Sequence, residues 1–110
     1  MIVKHTYSIP NLWEPDVEGV TTKQLASSGR EVTALKLSAG AGSAVVALYD
    51  NGDGNANPTD RKWVLDASTT DNDGMAFSSP LSFKKGIYAV LEQGAGLGAK
   101  LNYAILPDQV

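Results

Sequence analysis

Between Val32 and Leu106 the chain alternates apolar and polar residues over several short runs, and this alternation limits the possible folds most strongly. Because successive side chains of a strand point to opposite faces, each run places its apolar residues on one wall of a β-sheet. These runs contain Leu35 and Leu37; Ala44, Val46 and Leu48; Trp63, Leu65 and Ala67; Ile87, Ala89 and Leu91; and Leu101, Tyr103 and Ile105. The pattern predicts an all-β fold of about eight strands, a single antiparallel β-sandwich with jelly-roll-like or immunoglobulin-like topology.

The first 30 residues lack this regular alternation. Pro10 and Pro15 lie close to Trp13 there, and a proline fixes φ, lacks an N–H donor and biases its predecessor toward extended backbone. Residues 1–30 are therefore predicted to form an N-terminal arm and irregular segment that packs on, or extends from, a β-sandwich over residues 31–110. Tyr7 to Ile9 is a possible strand, Val17 to Leu25 has the composition of a further short strand, and no stretch shows a helical period.

Two expectations concern strand boundaries and pairing. Met75 to Ser78 is predicted to be a short strand, with Pro80 interrupting the pattern because proline cannot donate to a β-ladder. Ile87 to Glu92 and Ala99 to Leu106 are predicted to pair as a closing hairpin around Gly94 to Gly98. This glycine-rich stretch lacks the spacing and the following helix of a phosphate-binding loop, so we interpret it as a hairpin tip.

Composition narrows the classes of partner. The 110 residues suffice for one domain with a modest core, and 9 basic against 12 acidic residues give a formal net charge of −3. This balance argues against a nucleic-acid partner, which requires clustered lysine and arginine. The absence of cysteine excludes disulfides and thiolate sites. The apolar runs are too short to cross a bilayer and the N-terminus does not resemble a signal peptide, so no membrane partner and no cofactor are expected.

The loop that follows Tyr49 is rich in oxygen side chains and glycine, as a calcium loop would be. Its spacing departs from a calcium-binding loop, because Ala56 stands where glycine is needed and Lys62 where a bidentate glutamate belongs. The loop is therefore interpreted as a turn-rich connection rather than a metal site. If a cation does bind, the candidate ligands are Asp50, Asp53, Asn55 and Asp60. A second acidic turn, Asp71 to Gly74, would share such a site only if both loops lay at one end of the sandwich.

No set of residues suited to catalysis is evident. His5 is the only histidine and no nucleophile–base arrangement accompanies it, so a small hydrolase is the least supported class of protein. Trp13 has two interpretations: it caps its own core, or it anchors a partner, as tryptophan often does at interfaces. The predicted partner contacts are Ile2, Val3, Tyr7 and Trp13, since an extended arm can add to the sheet edge of another subunit.

Three segments resemble small structural proteins of tailed bacteriophages. They are Ala44–Asp50 (AVVALYD), Phe83–Leu91 (FKKGIYAVL) and Leu101–Leu106 (LNYAIL), and the similar region extends from Val32 to Leu106. The resemblance implies a virion β-sandwich without catalytic residues, such as a capsid decoration (cement) protein or a head- or tail-attached fibre component. It also implies assembly in the host cytoplasm, for which a cysteine-free chain is suited.

The expected function is therefore a non-enzymatic virion structural protein. It would bind the major capsid protein or another virion component and act as a homo-oligomer on the particle, where many weak contacts combine. The alternative is a small binding module that takes Ca²⁺ or carbohydrate. That module would need a metal in the loop after Tyr49, or an exposed aromatic platform formed by Trp63 and Tyr88.

Overall fold

The structure, a computed structural model, describes residues 10–93 and 98–106. Two short helical turns accompany the strands: α1 (Pro15–Glu18) and a single 3₁₀ turn (Pro58–Asp60). The strands are β1 (Asn11–Trp13), β2 (Thr22–Ala26), β3 (Arg30–Ser38), β4 (Ser43–Tyr49), β5 (Arg61–Ser68), β6 (Asp73–Phe83), β7 (Ile87–Gln93) and β8 (Lys100–Ile105).

The strands form two four-stranded antiparallel sheets in the orders β1-β8-β3-β6 (sheet A) and β2-β7-β4-β5 (sheet B). The all-β sandwich predicted from the alternation is confirmed. The first strand pairs with the last, the second with the seventh, the third with the sixth and the fourth with the fifth. This nesting of one half of the chain against the other is the strand order of a jelly roll, and it resolves the choice between the two topologies.

The core lies between the sheets and is built by the predicted alternation. Ala44, Val46 and Leu48 of the central strand β4 are fully buried, and their neighbours on β5 and β7 fill the same layer. The fully buried side chains of largest volume are Trp13, Phe83, Leu35, Leu37, Leu48, Leu65, Ile87, Leu101, Val32 and Val46. Burial of apolar side chains, at about 1.5–3 kcal/mol for each large one, supplies the main stabilisation of such a sandwich.

A β-bulge in β3 adapts the alternation to the core. Val32 and Leu35 are both buried although they are three residues apart, and the pairing of β3 with β6 and β8 shifts register between Val32 and Ala34. The extra residue, Thr33, donates its hydroxyl to the Ala104 carbonyl at 3.3 Å. One inserted residue thus returns Val32 to the core face.

The N-terminal segment is more regular than expected, and the strand expected within Val17 to Leu25 is present in part as β2. From Pro10 onward it belongs to the sandwich, because β1 pairs with β8 and β2 pairs with β7. The turn α1 joins the two strands: Pro15 occupies its first position, where a missing N–H is harmless, and Gly19 ends it at φ +70°. Pro15 therefore starts a helical turn, whereas Pro10 precedes β1.

Two strand predictions are wrong. β6 extends over Asp73–Phe83 and continues through Pro80, because it is the last strand of sheet A and a proline there removes no ladder bond, although its pairing with β3 is broken between Ala76 and Leu81. β7 and β8 do not form a hairpin, since they lie in opposite sheets. Alternation shows which face of a strand is buried, but it carries no information about the neighbouring strand.

Candidate functional site

The carboxylate of Asp50 links two loops at one end of the sandwich. It accepts hydrogen bonds from the backbone N–H groups of Lys84 and Lys85, at 3.1 and 2.7 Å, in the turn between β6 and β7. Partial burial opposes ionisation of Asp50, but the N–H donors of Lys85, Lys84 and Gly86 outweigh it and lower the pKa of this carboxyl. The ionised Asp50 therefore holds the β4–β5 loop to the β6–β7 turn.

Gln24 ties the same loop to β2. Its Nε2 lies within hydrogen-bond distance of the carbonyls of Ala26, Asn51 and Ile87, at 2.8, 2.6 and 3.1 Å. Its Oε1 accepts from the Gly54 N–H at 2.8 Å. The Gln24 amide thus binds the loop at Asn51 and at Gly54. These contacts restrict the conformation of the first half of the loop.

The side chains of Asn51 and Asp60 in the same loop also form hydrogen bonds within the domain. Asn51 is buried, and its Oδ1 accepts from the N–H groups of Asp53 and Asn55 at 2.7 and 3.1 Å. This is the local turn geometry expected of an asparagine. Asp60 accepts from Lys85 Nζ at 2.9 Å. Over residues 10–93 and 98–106, no three His, Cys, Asp or Glu side chains are grouped so that they could hold a metal ion.

The second acidic turn lies away from the first. The two loops flank the same strand, β5, whose eight residues separate them by about 25 Å. In the second loop Asp73 accepts from the Asp66 N–H at 2.9 Å through its carboxylate. A cation site shared by Asp50 and the turn at residues 71–74 is therefore excluded by the connectivity.

The predicted partner contacts divide into two groups. Ile2, Val3 and Tyr7 lie outside the described residues. Trp13 is 0% exposed in the core, and its Nε1 has no hydrogen-bond partner among the residues that the structure describes. Trp13 therefore caps the core of its own domain, and its indole presents no surface to a partner.

The two aromatic residues of the alternative platform lie on opposite faces of sheet B. Trp63 shares the inner face with Leu65 and meets Phe77 of sheet A edge to face, with 5.2 Å between ring centroids. Tyr88 alternates with the buried Ile87 and Ala89 and therefore faces outward. Trp63 and Tyr88 cannot form one carbohydrate-binding surface.

An open groove lies along β5, with a volume of about 550 Å³. This β5 groove is lined by Pro58, Arg61, Lys62, Trp63 and Val64. Lys62 Nζ lies 5.7 Å from the centre of the Phe83 ring, and Arg61 pairs with Glu92. In the sequence, the neighbouring cations Arg61 and Lys62 are interpreted as solvated charges or contacts to an acidic protein surface, and the adjacent Trp63 is the further signal of this groove.

Comparison of the chain with family models, with curated proteins and with solved structures finds no match. In the described part of the chain, no helix is long and apolar enough to cross a membrane.

Proposed function

We propose that this protein is a non-enzymatic structural component of a bacteriophage virion, a capsid decoration (cement) protein that binds the outer surface of the head and stabilises it. The observation that carries this proposal is that polar side chains of the loops form hydrogen bonds within their own domain. Asp50, Gln24 and Asn51 are engaged with backbone groups of their own domain. Such loops give a rigid body whose outer surfaces are free to make contacts.

The fold adds support by analogy. Eight-stranded jelly rolls occur among viral capsid domains, lectin domains and cupins. A fold alone does not select a function. The resemblance of residues 32–106 to small phage structural proteins favours the virion among these classes, with the major capsid protein as the partner.

The arrangement of the loops suits a protein exposed on a particle. Lys85 donates to Asp60 while its backbone N–H bonds Asp50, so one residue holds both ends of the β4–β5 loop. Fixed loops lose little conformational entropy when they dock. Repetition of one weak contact over a symmetric shell then provides avidity, and the protein would act there as a homo-oligomer.

The contacts proposed for the capsid are Ile2, Val3 and Tyr7, without Trp13. A truncation that tests this arm must spare Trp13, because its loss would empty the core. Substitution of the three residues tests the same contacts without shortening the chain. A variant carrying Ile2→Ser, Val3→Ser and Tyr7→Ser removes the apolar contacts and leaves β1 intact.

The test is co-sedimentation with phage heads stripped of their accessory proteins. The native chain is expected to bind saturably, and the triple variant is expected to remain in the supernatant. Val17→Ser is the matched control, because Val17 is an apolar side chain that is 78% exposed and lies outside residues 1–9. A native chain that ignores the heads contradicts the proposal.

Two further outcomes separate the alternatives. Binding to tails but not to heads would favour the fibre component. A rise in melting temperature on addition of Ca²⁺ would favour the binding module, because a ligand stabilises the native state that binds it. The engagement of Asp50 and Asp60 with donors of the chain itself weighs against that second outcome.

A further inference from the structure

The outermost strands of the two sheets differ in how well they are protected from pairing with another chain. In the part of the chain that the structure describes, these strands are β1 and β6 of sheet A and β2 and β5 of sheet B. β1 has only three residues, and β2 shifts register between Gln24 and Ala26. Short, irregular edges of this kind resist the addition of a further strand.

β6 and the far half of β5 are protected by specific residues. Pro80 and an irregular register interrupt the edge of β6. On β5, the Asp73 carboxylate occupies the N–H of Asp66, and the Asp71 carbonyl occupies the N–H of Ser68. In the near half of β5, which lines the β5 groove, the Pro58 carbonyl occupies the N–H of Arg61 and a β-bulge lies at Lys62, whereas Val64 carries neither kind of block.

The backbone of Val64 faces this groove. Alternate residues of a strand direct their N–H and C=O groups to the same side, so Val64 shares the direction of Asp66 and Ser68, away from β4. Its side chain is 43% exposed and Trp63 is half-buried beside it. A donor, an acceptor and an apolar side chain are thus presented together at an open strand edge.

The charged side chains of the β5 groove determine which kind of segment it can bind. Arg61 is paired with Glu92 on the outer face, whereas Lys62 forms no ion pair with the residues that the structure describes. The cation–π contact with Phe83 keeps the Lys62 ammonium group at the groove. An extended segment with carboxylates beside apolar residues would be complementary to this edge.

We propose that the β5 groove is a strand-addition site, which binds an extended acidic segment of a partner protein as a fifth strand of sheet B. Main-chain hydrogen bonds to Val64 would supply affinity, and Lys62 would supply the preference for carboxylates. Asp73 ends the site at Asp66, so it accepts only a short segment.

Charge argues against the first nine residues of a second copy as the occupant. Residues 1–9 contain Lys4 and His5 and no acidic residue, so they would bring positive charge to Lys62. The inference does not rest on the proposed function, since it concerns the chemistry of one sheet edge. Its test uses peptides and the native chain without phage particles, so the two proposals fail separately.

The experiment is a two-dimensional NMR titration of the full chain with two blocked hexapeptides, one alternating valine with glutamate and the other alternating valine with lysine. At millimolar concentration the glutamate peptide is expected to shift the amide signals of residues 61–65. It should also slow hydrogen exchange of the Val64 amide by about tenfold. The lysine peptide is expected to leave both unchanged.

Two pairs of variants complete the test. Lys62→Glu should weaken the glutamate peptide by at least about fivefold, while Lys36→Glu, on an exposed lysine of β3, should not. Val64→Pro removes the edge N–H and should abolish binding, whereas Val64→Thr retains it. Circular dichroism verifies that each variant is folded. Equal binding of both peptides, shifts confined to other strands, or no shifts with the native chain would overturn the proposal.

Discussion

Arg61 and Glu92 form an ion pair across the outer face of sheet B, at 2.5 Å between Nη2 and Oε1. Arg61 lies on β5 and Glu92 on β7, so the pair spans the central strand β4 that runs between them. Ala47 of β4 alternates with the core-facing Val46 and Leu48, yet it has no exposed surface. The long arginine side chain thus helps to cover an outer face that would otherwise be open.

Arg61→Ala is expected to lower the free energy of unfolding by about 1 kcal/mol, because both packing over β4 and the ion pair are lost. Lys23→Ala is the control, since Lys23 pairs with Glu18 at similar exposure without spanning a strand. Its expected cost is about 0.3 kcal/mol. Urea titrations of the two variants measure the difference, and equal losses would contradict the covering role of Arg61.

Asp50→Asn is expected to destabilise the fold by about 1 kcal/mol at pH 7, because a charged acceptor of two backbone N–H groups is replaced. The pKa of Asp50 is lowered in the native state from its ordinary value of 3.8. The stabilisation is therefore complete above pH 3.8 and disappears as the pH falls through the lower native pKa.

Denaturant titrations of the native chain and of Asp50→Asn should thus differ at pH 7 and converge under strongly acidic conditions. Asp53→Asn serves as the control, because Asp53 is exposed and its carboxylate accepts no hydrogen bond from the described residues. A difference between the native chain and Asp50→Asn that persists unchanged in acid would show that the carboxylate charge is not the cause.

The edge-to-face contact of Trp63 with Phe77 joins β5 of sheet B to β6 of sheet A. A double-mutant cycle with Trp63→Leu and Phe77→Leu should give a coupling energy of about 0.5–1.5 kcal/mol, the range for such aromatic pairs. Additive losses would mean that the two rings contribute only by separate burial.

Gly86 and Gly19 both have positive φ, but their surroundings differ. A Cβ at Gly86 would lie 2.6 Å from the Ala26 carbonyl oxygen and 2.8 Å from that of Asn51, whereas a Cβ at Gly19 would meet nothing within 4 Å. Gly19→Ala should therefore cost about 1–2 kcal/mol from backbone strain alone. Gly86→Ala should cost about 3 kcal/mol or more, because overpacking is added. Comparable melting temperatures for the two variants would contradict this account.

The strand faces could be predicted because they depend on local alternation. Val46, Leu91 and Leu101 are buried where the pattern expected them. Strand partners depend on the order of the whole chain, so neither the choice between jelly-roll and immunoglobulin topology nor the separation of β7 from β8 could be predicted. The roles of Asp50 and Gln24 were likewise hidden, because all of their hydrogen-bond partners except Ala26 are 27 to 63 residues away in the sequence.

The measurement that tests the proposed function most directly is the thermal stability of stripped phage heads with and without the purified protein. A decoration protein binds the assembled shell, so saturation should raise the temperature at which the heads open. The rise should follow the amount of protein bound and should be lost with the variant of Ile2, Val3 and Tyr7. Heads that open at the same temperature in the presence of saturating protein would contradict the account.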